Sequence, residues 1–108
     1  MWKRACRSEE IPANGLKQVA VEVGPALDIA NAGDEFFACQ ALCPHEEFPL
    51  ADGVHDGSVL TCLEHLWQFD LRTGAPLGDA QAPMRTYKLK HENGELYVWL
   101  EPPGSSAR

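Results

Sequence analysis

Two short runs constrain this chain more than anything else in it: Cys43-Pro44-His45 and, after sixteen intervening residues, Cys62-Leu63-Glu64-His65. Each run supplies one thiol and one imidazole. Pro44 stiffens the first step because its ring fixes the backbone. The second run repeats the arrangement with one more residue between its donors. The pairs read as two separate hairpin-like segments. A fold for this sequence has to present both, and a shared metal centre would hold them together.

A mixed set of two thiolates and two imidazoles is the ligand set of a histidine-ligated [2Fe–2S] centre, with the cysteines on one iron and the histidines on the other. Two ferric ions, two sulfides and two thiolates sum to zero charge when the imidazoles are neutral. Four thiolates would leave a dianion. An electron enters the neutral centre more easily, which raises the potential to about −150 to +300 mV, against roughly −400 mV for plant-type ferredoxins. The competing reading is structural zinc, which also uses Cys₂His₂. Its usual form pairs like with like, Cys-x₂₋₄-Cys and His-x₃₋₅-His. Here each pair mixes types. A redox dithiol would need Cys-x-x-Cys, which is absent.

At these residues the chain resembles the Rieske-type ferredoxins, and more closely the ferredoxin components of bacterial multicomponent toluene and alkene monooxygenases. The stretches that carry the resemblance are Cys43-Pro44-His45-Glu46-Glu47-Phe48-Pro49-Leu50, Val59-Leu60-Thr61-Cys62 and His65-Leu66-Trp67-Gln68-Phe69-Asp70. Arg72-Thr73-Gly74 and Ala82-Pro83 fit the family's third, proline-bearing loop. The resemblance implies that Cys43 and Cys62 bind the inner iron and His45 and His65 the outer one. The free edges of the two imidazoles would then be the exit for an electron. Glu46, Glu47, Glu64 and Leu66 would surround that exit as a docking face. Trp67 would cover the cluster loops as an aromatic lid, and Pro83 would shield the cluster from the third loop.

Respiratory Rieske proteins carry two further cysteines joined in a disulfide; the matching positions here are Phe48 and Glu64. They also place a serine and a tyrosine hydroxyl near the cluster sulfurs, where this chain has Trp67 and Phe69. Hydrogen bonds to the sulfurs stabilise the reduced state, so their loss lowers the potential. The low end of the Rieske range, about −150 mV, is expected.

A chain of 108 residues is read as a single domain spanning 1–108. No run of some 18 apolar residues is present, so no membrane-spanning helix is expected. The start, Met1-Trp2-Lys3-Arg4-Ala5-Cys6, lacks an apolar stretch of signal-peptide length. A cytosolic protein follows as the expectation, with Cys6 and Cys39 as buried thiols and not a disulfide. The net charge of −7 argues against binding nucleic acid through phosphates. It suits a carrier that meets basic patches on its partners and leaves again. A monomer is expected. His55 and His91, outside the two runs, are read as surface residues.

The remaining pattern is that of an all-β domain. Lys3 to Cys6 reads as an opening edge strand, Ser8 to Pro12 as a helical turn. Lys17 to Val23 alternates, with Val19, Val21 and Val23 on one face. Ala26 to Ala30 and Glu35 to Ala41 are strands joined by a turn at Asn31-Ala32-Gly33-Asp34. Residues 42–82 break the alternation and carry all four proposed ligands. They read as a small cluster-binding subdomain inserted into an antiparallel β-sandwich, the Rieske fold. Within it, Val59 to Cys62 and Trp67 to Leu71 are strands, and His65 lies in the turn between them. Arg85 to His91 and Glu95 to Leu100 flank Asn93-Gly94, a hairpin signal because both residues tolerate positive φ. Leu96, Val98 and Leu100 face the core, Tyr97 and Trp99 the other side. Residues 102–108 read as a disordered tail.

No Gly-rich phosphate loop, Glu-x-x-His pair or activated nucleophile is evident, so no catalysis is expected of the chain itself. The resemblance implies a single-electron carrier with one [2Fe–2S] cluster. An NADH-dependent flavoprotein reductase would load it, and a di-iron hydroxylase of an aromatic or alkene monooxygenase would receive the electron. The alternatives are the ferredoxin of an aromatic-ring dioxygenase and a small Rieske subunit of a nitrite reductase. A colourless zinc module is the reading without redox chemistry.

Overall fold

The computed structural model describes residues 1–21, 26–33, 35–44, 49–63 and 66–100. Its strands, in chain order, are β1 (Trp2–Arg7), β2 (Leu16–Ala20), β3 (Ala26–Asn31), β4 (Phe36–Gln40), β5 (Val54–Asp56) and β6 (Val59–Thr61). They continue with β7 (Gln68–Asp70), β8 (Pro76–Leu77), β9 (Thr86–Tyr87), β10 (Leu89–Glu92) and β11 (Glu95–Trp99). All pairings are antiparallel, in three sheets of order β1-β11-β10, β2-β3-β4-β9 and β5-β6-β7-β8. The architecture is the all-β sandwich with a small inserted sheet that the sequence pattern predicts.

The first two sheets face each other across one core. Period-two alternation sends Val19, Leu27, Ile29 and Ala38 inward from one sheet, and Cys6, Leu96 and Val98 from the other. Asn93 and Gly94 take φ of 52° and 79°, which closes the β10–β11 hairpin as expected. β1 is an edge strand and Ser8–Glu10 a 3₁₀ turn.

Arg85 to His91 does not form one strand. Thr86 pairs with Cys39 in the second sheet, whereas Leu89 pairs with Val98 in the first. The chain changes sheets at Lys88, whose carbonyl accepts from the Trp99 amide at 2.9 Å. One extended run thus serves two sheets and closes the sandwich. β2 ends at Ala20; Val21 is buried beyond it, while Glu22 and Val23 lie outside the described residues. Asn31 ends β3 and is not part of the turn. Its amide donates to the Ile11 carbonyl at 2.7 Å, and its side-chain oxygen accepts from the Gly33 amide at 2.8 Å. Asp34 and residues 101–108, which include the expected tail, are also outside the described residues.

The third sheet lies within residues 42–82. β5, β8 and a 3₁₀ turn at Leu50–Asp52 were not legible, being too short to show a period. This lobe packs on the outer face of the second sheet. Ala30, Phe37 and Cys39 from that sheet meet Leu50, Leu60, Phe69, Leu71 and Met84 in a second core. The second sheet is therefore covered on both faces, and residues 27–31 of β3 are all buried.

Polar ties cross the seam between lobe and sandwich. Arg72 pairs with Glu35 at 2.9 Å and stands over the Phe37 ring, 5.2 Å from its centre. His55 is half-buried and not a plain surface residue, its Nε2 lying 2.9 Å from the Gly15 carbonyl oxygen. His91 is exposed.

Asp28 sits in this seam. It points to the same side of β3 as Ala30 and stands opposite Cys39 on β4. It is fully buried, and among the described residues neither carboxylate oxygen has a hydrogen-bond partner. Burial, reinforced by the Asp52 charge, pushes its carboxyl from an ordinary 3.8 up to about 7. The folded protein therefore keeps a proton that the unfolded chain gives up between about pH 4 and 7. This group's contribution to stability falls as the pH rises through that window and is flat above it. Asp28→Asn is expected to raise the urea midpoint above pH 7 by the equivalent of at most about 4 kcal/mol. The gain should vanish toward pH 4, as read by tryptophan fluorescence.

Candidate metal centre

Both cysteine loops are closed at the neck by backbone contacts. Cys43 follows β4, and an isolated antiparallel bridge joins Leu42 to Pro49 across its loop. Beside it, the Leu50 amide donates to the Ala41 carbonyl at 2.8 Å. Cys62 follows β6, and its own amide donates to the Trp67 carbonyl at 2.8 Å. Leu66 completes that turn with a φ of 61°, an unfavourable left-handed conformation for a branched side chain.

Cys43 and Cys62 are buried in the same second core. None of the four cysteines is in a disulfide. The residues beside the two thiols point the other way: Leu42, Leu63 and Leu66 are 43%, 49% and 65% exposed. Two buried cysteines on pinned loops, with exposed apolar side chains nearby, are a donor set that would suit an iron–sulfur centre. His45, Glu46, Glu47, Phe48, Glu64 and His65 lie outside the described residues.

Trp67 is half-buried, packs against the second core and meets the Phe69 ring edge-on at 6.3 Å. Phe69 is fully buried. Neither side chain is a hydroxyl donor, and both add apolar cover. The third loop reaches this region through Met84, which is buried in the core that holds Cys43 and Cys62. Pro83, the residue the sequence singles out, is exposed beside it. Met84 gave no motif signal; an apolar residue next to a loop proline is common. Burial raises the remaining thiols, Cys6 and Cys39, above the ordinary range, Cys39 much the further, which disfavours the reactive thiolate.

Gly74 anchors that third loop. Its φ is 81°, its amide donates to the Asp70 carbonyl at 2.6 Å, and its carbonyl accepts from the Met84 amide at 2.8 Å. A Cβ here would stand 2.0 Å from the Met84 carbonyl oxygen.

The sequence matches the family described as Rieske [2Fe-2S] domain over residues 1–88. It is 37% identical over 100 residues to the methanesulfonate monooxygenase ferredoxin subunit of Methylosulfonomonas methylovora, covering 92% of this chain and 80% of that protein. It is 38% identical to the biphenyl 2,3-dioxygenase ferredoxin component of Rhodococcus jostii (strain RHA1), covering 91% of this chain and 92% of that one. The fold matches the solved ferredoxin of Sphingomonas yanoikuyae B1 with a TM-score of 0.84 and 31% identity, over 91% of this chain and 97% of that one. The chain belongs to the Rieske [2Fe–2S] family. Its cofactor is a single [2Fe–2S] cluster, and its role is electron transfer, not catalysis. No helix among the described residues is long and apolar enough to cross a membrane.

Gly74→Ala should displace the Met84 loop and cost about 1 to 3 kcal/mol through forced positive φ and steric conflict. A lower melting temperature with faster bleaching of the cluster's visible absorbance is the expected result. Unchanged melting would show that the loop yields freely.

Proposed function

We propose that Cys43 and Cys62 hold the inner iron and His45 and His65 the outer iron of the cluster. The observation that carries this is the burial of both cysteines in one core on separately closed loops. A zinc site offers no reason for the mixed Cys-x-His pairing. His65→Ala should abolish the Rieske absorption and electron paramagnetic resonance spectra. A spectrum unchanged in that variant would refute the ligand assignment.

In this reading the single domain spanning 1–108 works as a monomer in the cytosol. It takes one electron from an NADH-dependent flavoprotein reductase and delivers it to the oxygenase component of an aromatic-ring dioxygenase. The names of the relatives support an oxygenase as the acceptor, and the biphenyl relative supports a dioxygenase. The di-iron hydroxylase of a toluene or alkene monooxygenase is the second reading, supported by the His65-Leu66-Trp67-Gln68-Phe69 segment. Turnover of the ferredoxin with each type of oxygenase separates them. Coupled product formation with the dioxygenase alone is the expected outcome; formation with the di-iron enzyme alone would reverse the order.

Charge is distributed to suit docking at the cluster end. Residues 42–82 hold seven of the sixteen Asp and Glu residues but one of the nine Lys and Arg residues. Glu46, Glu47 and Glu64 adjoin the ligands in sequence, and the exposed Leu42, Leu63 and Leu66 supply apolar contact. An acidic stretch of sequence with exposed apolar residues favours fast, oriented and reversible encounter with a basic partner. Glu64→Lys should slow transfer to the oxygenase about tenfold at low ionic strength, with the difference fading in salt. Its visible spectrum should be unchanged. Equal rates at low salt would remove Glu64 from the docking face.

A further inference from the structure

Among the described residues the buried polar side chains are Asn31 and Asp28. Asn31 is bonded to two backbone groups, whereas both oxygens of Asp28 lack a partner. A carboxylate left unpaired inside a protein is costly, and the cost disappears when it binds a proton. Asp28 is removed from the proposed ligands in sequence, but not from their core. Its cross-strand neighbour is Cys39, and Cys39 packs in the same apolar cluster as Cys43 and Cys62.

The groups around Asp28 leave its charge uncompensated. Asp52, on the 3₁₀ turn of the lobe, repels it. Cys39, on β4, stays a neutral thiol because burial and Asp28 both raise it. Gln18, opposite on β2, carries no charge, and Lys17 lies on the other face of β2 and pairs with Glu10. Thr86 stands beyond Cys39 on β9, where Tyr87 is raised by burial and the neighbouring Arg85 is exposed. Gln18 is itself exposed on the edge strand β2, one strand away from Asp28.

We propose that Asp28 is a redox-linked proton site, binding a proton when the protein gains an electron and releasing it when the electron leaves. The electron comes from an external one-electron donor and the proton from solvent. The carboxylate becomes a carboxylic acid, and no other bond forms or breaks. An added negative charge in the shared apolar core acts on Asp28 through a medium that screens poorly. Its ordinary state is poised for this, since burial already holds the carboxyl at about 7. The coupling is reciprocal: the electron tightens proton binding by the same factor by which the proton favours the electron.

The test is protein-film voltammetry on the full chain with its cluster, across about pH 5 to 9. It needs no oxygenase or reductase, so its outcome is independent of which partner the protein serves. A tenfold coupling, typical between linked sites, lowers the potential by about 59 mV in total as the pH rises through neutrality. Asp28→Asn should remove that part of the curve. Asp52→Asn, an exposed change that leaves the buried carboxyl in place, should shift the break to lower pH. Reduced-minus-oxidised infrared spectra near pH 7 should show a protonated-carboxyl band in the wild type that Asp28→Asn lacks. Superimposable pH curves for the wild type and Asp28→Asn would overturn the proposal, because any titration would then belong to another group. If Asp28→Asn does not retain its cluster, a break unmoved in Asp52→Asn, or no carboxyl band in the wild type, would overturn it equally.

Discussion

Everything at the functional end depends on keeping two cysteines, remote in sequence, inside one apolar core while their neighbours face water. The backbone does this with few contacts. The Cys62 amide, donating to the Trp67 carbonyl at 2.8 Å, closes one loop, and the Leu42–Pro49 bridge closes the other. Neither contact uses a side chain, so ligand geometry is protected from variation at the rim. The same necks turn Leu42, Leu63 and Leu66 outward as Cys43 and Cys62 turn inward. Burial of the two cysteines and exposure of the neighbouring leucines are one arrangement.

The second constraint is the sheet made by β2, β3, β4 and β9. It serves as a wall shared by the sandwich core and the core that holds the thiols. A double-faced sheet transmits position well but tolerates polar groups badly. Asn31 is accommodated because it satisfies the Ile11 carbonyl and the Gly33 amide. Asp28 has no such compensation among the described residues. It stands at the plane where the scaffold and the lobe of residues 42–82 meet.

The Rieske family, the hairpin at Asn93-Gly94 and the inward faces of β2 and β11 were legible in the sequence, because each rests on local chemistry or a clear period. What it hid was non-local. The two- and three-residue strands β8 and β5 are shorter than any periodic signal, and they exist because β6 and β7 offer partners. The division of Arg85 to His91 between two sheets depends on where β4 and β11 lie. Asp28 looks like an ordinary polar residue in a short strand until both faces of that strand are covered. Pro83, singled out by the sequence, is exposed, and its neighbour Met84 is the residue that enters the core. Trp67 and Phe69 were legible as apolar residues, and both pack in or against the core that holds Cys43 and Cys62.

These features converge on the energy of the added electron. A neutral cluster with two imidazole ligands accepts it readily. Apolar cover in place of hydroxyl donors makes the reduced state less favourable, and the acidic lobe acts in the same direction. A redox titration followed by electron paramagnetic resonance tests this balance most directly. The account predicts a Rieske-type signal that grows in with a one-electron midpoint near the low end of the range, about −150 mV. A midpoint above zero would contradict the role given to Trp67 and Phe69. No signal at any potential in fully metal-loaded protein would contradict the cluster itself.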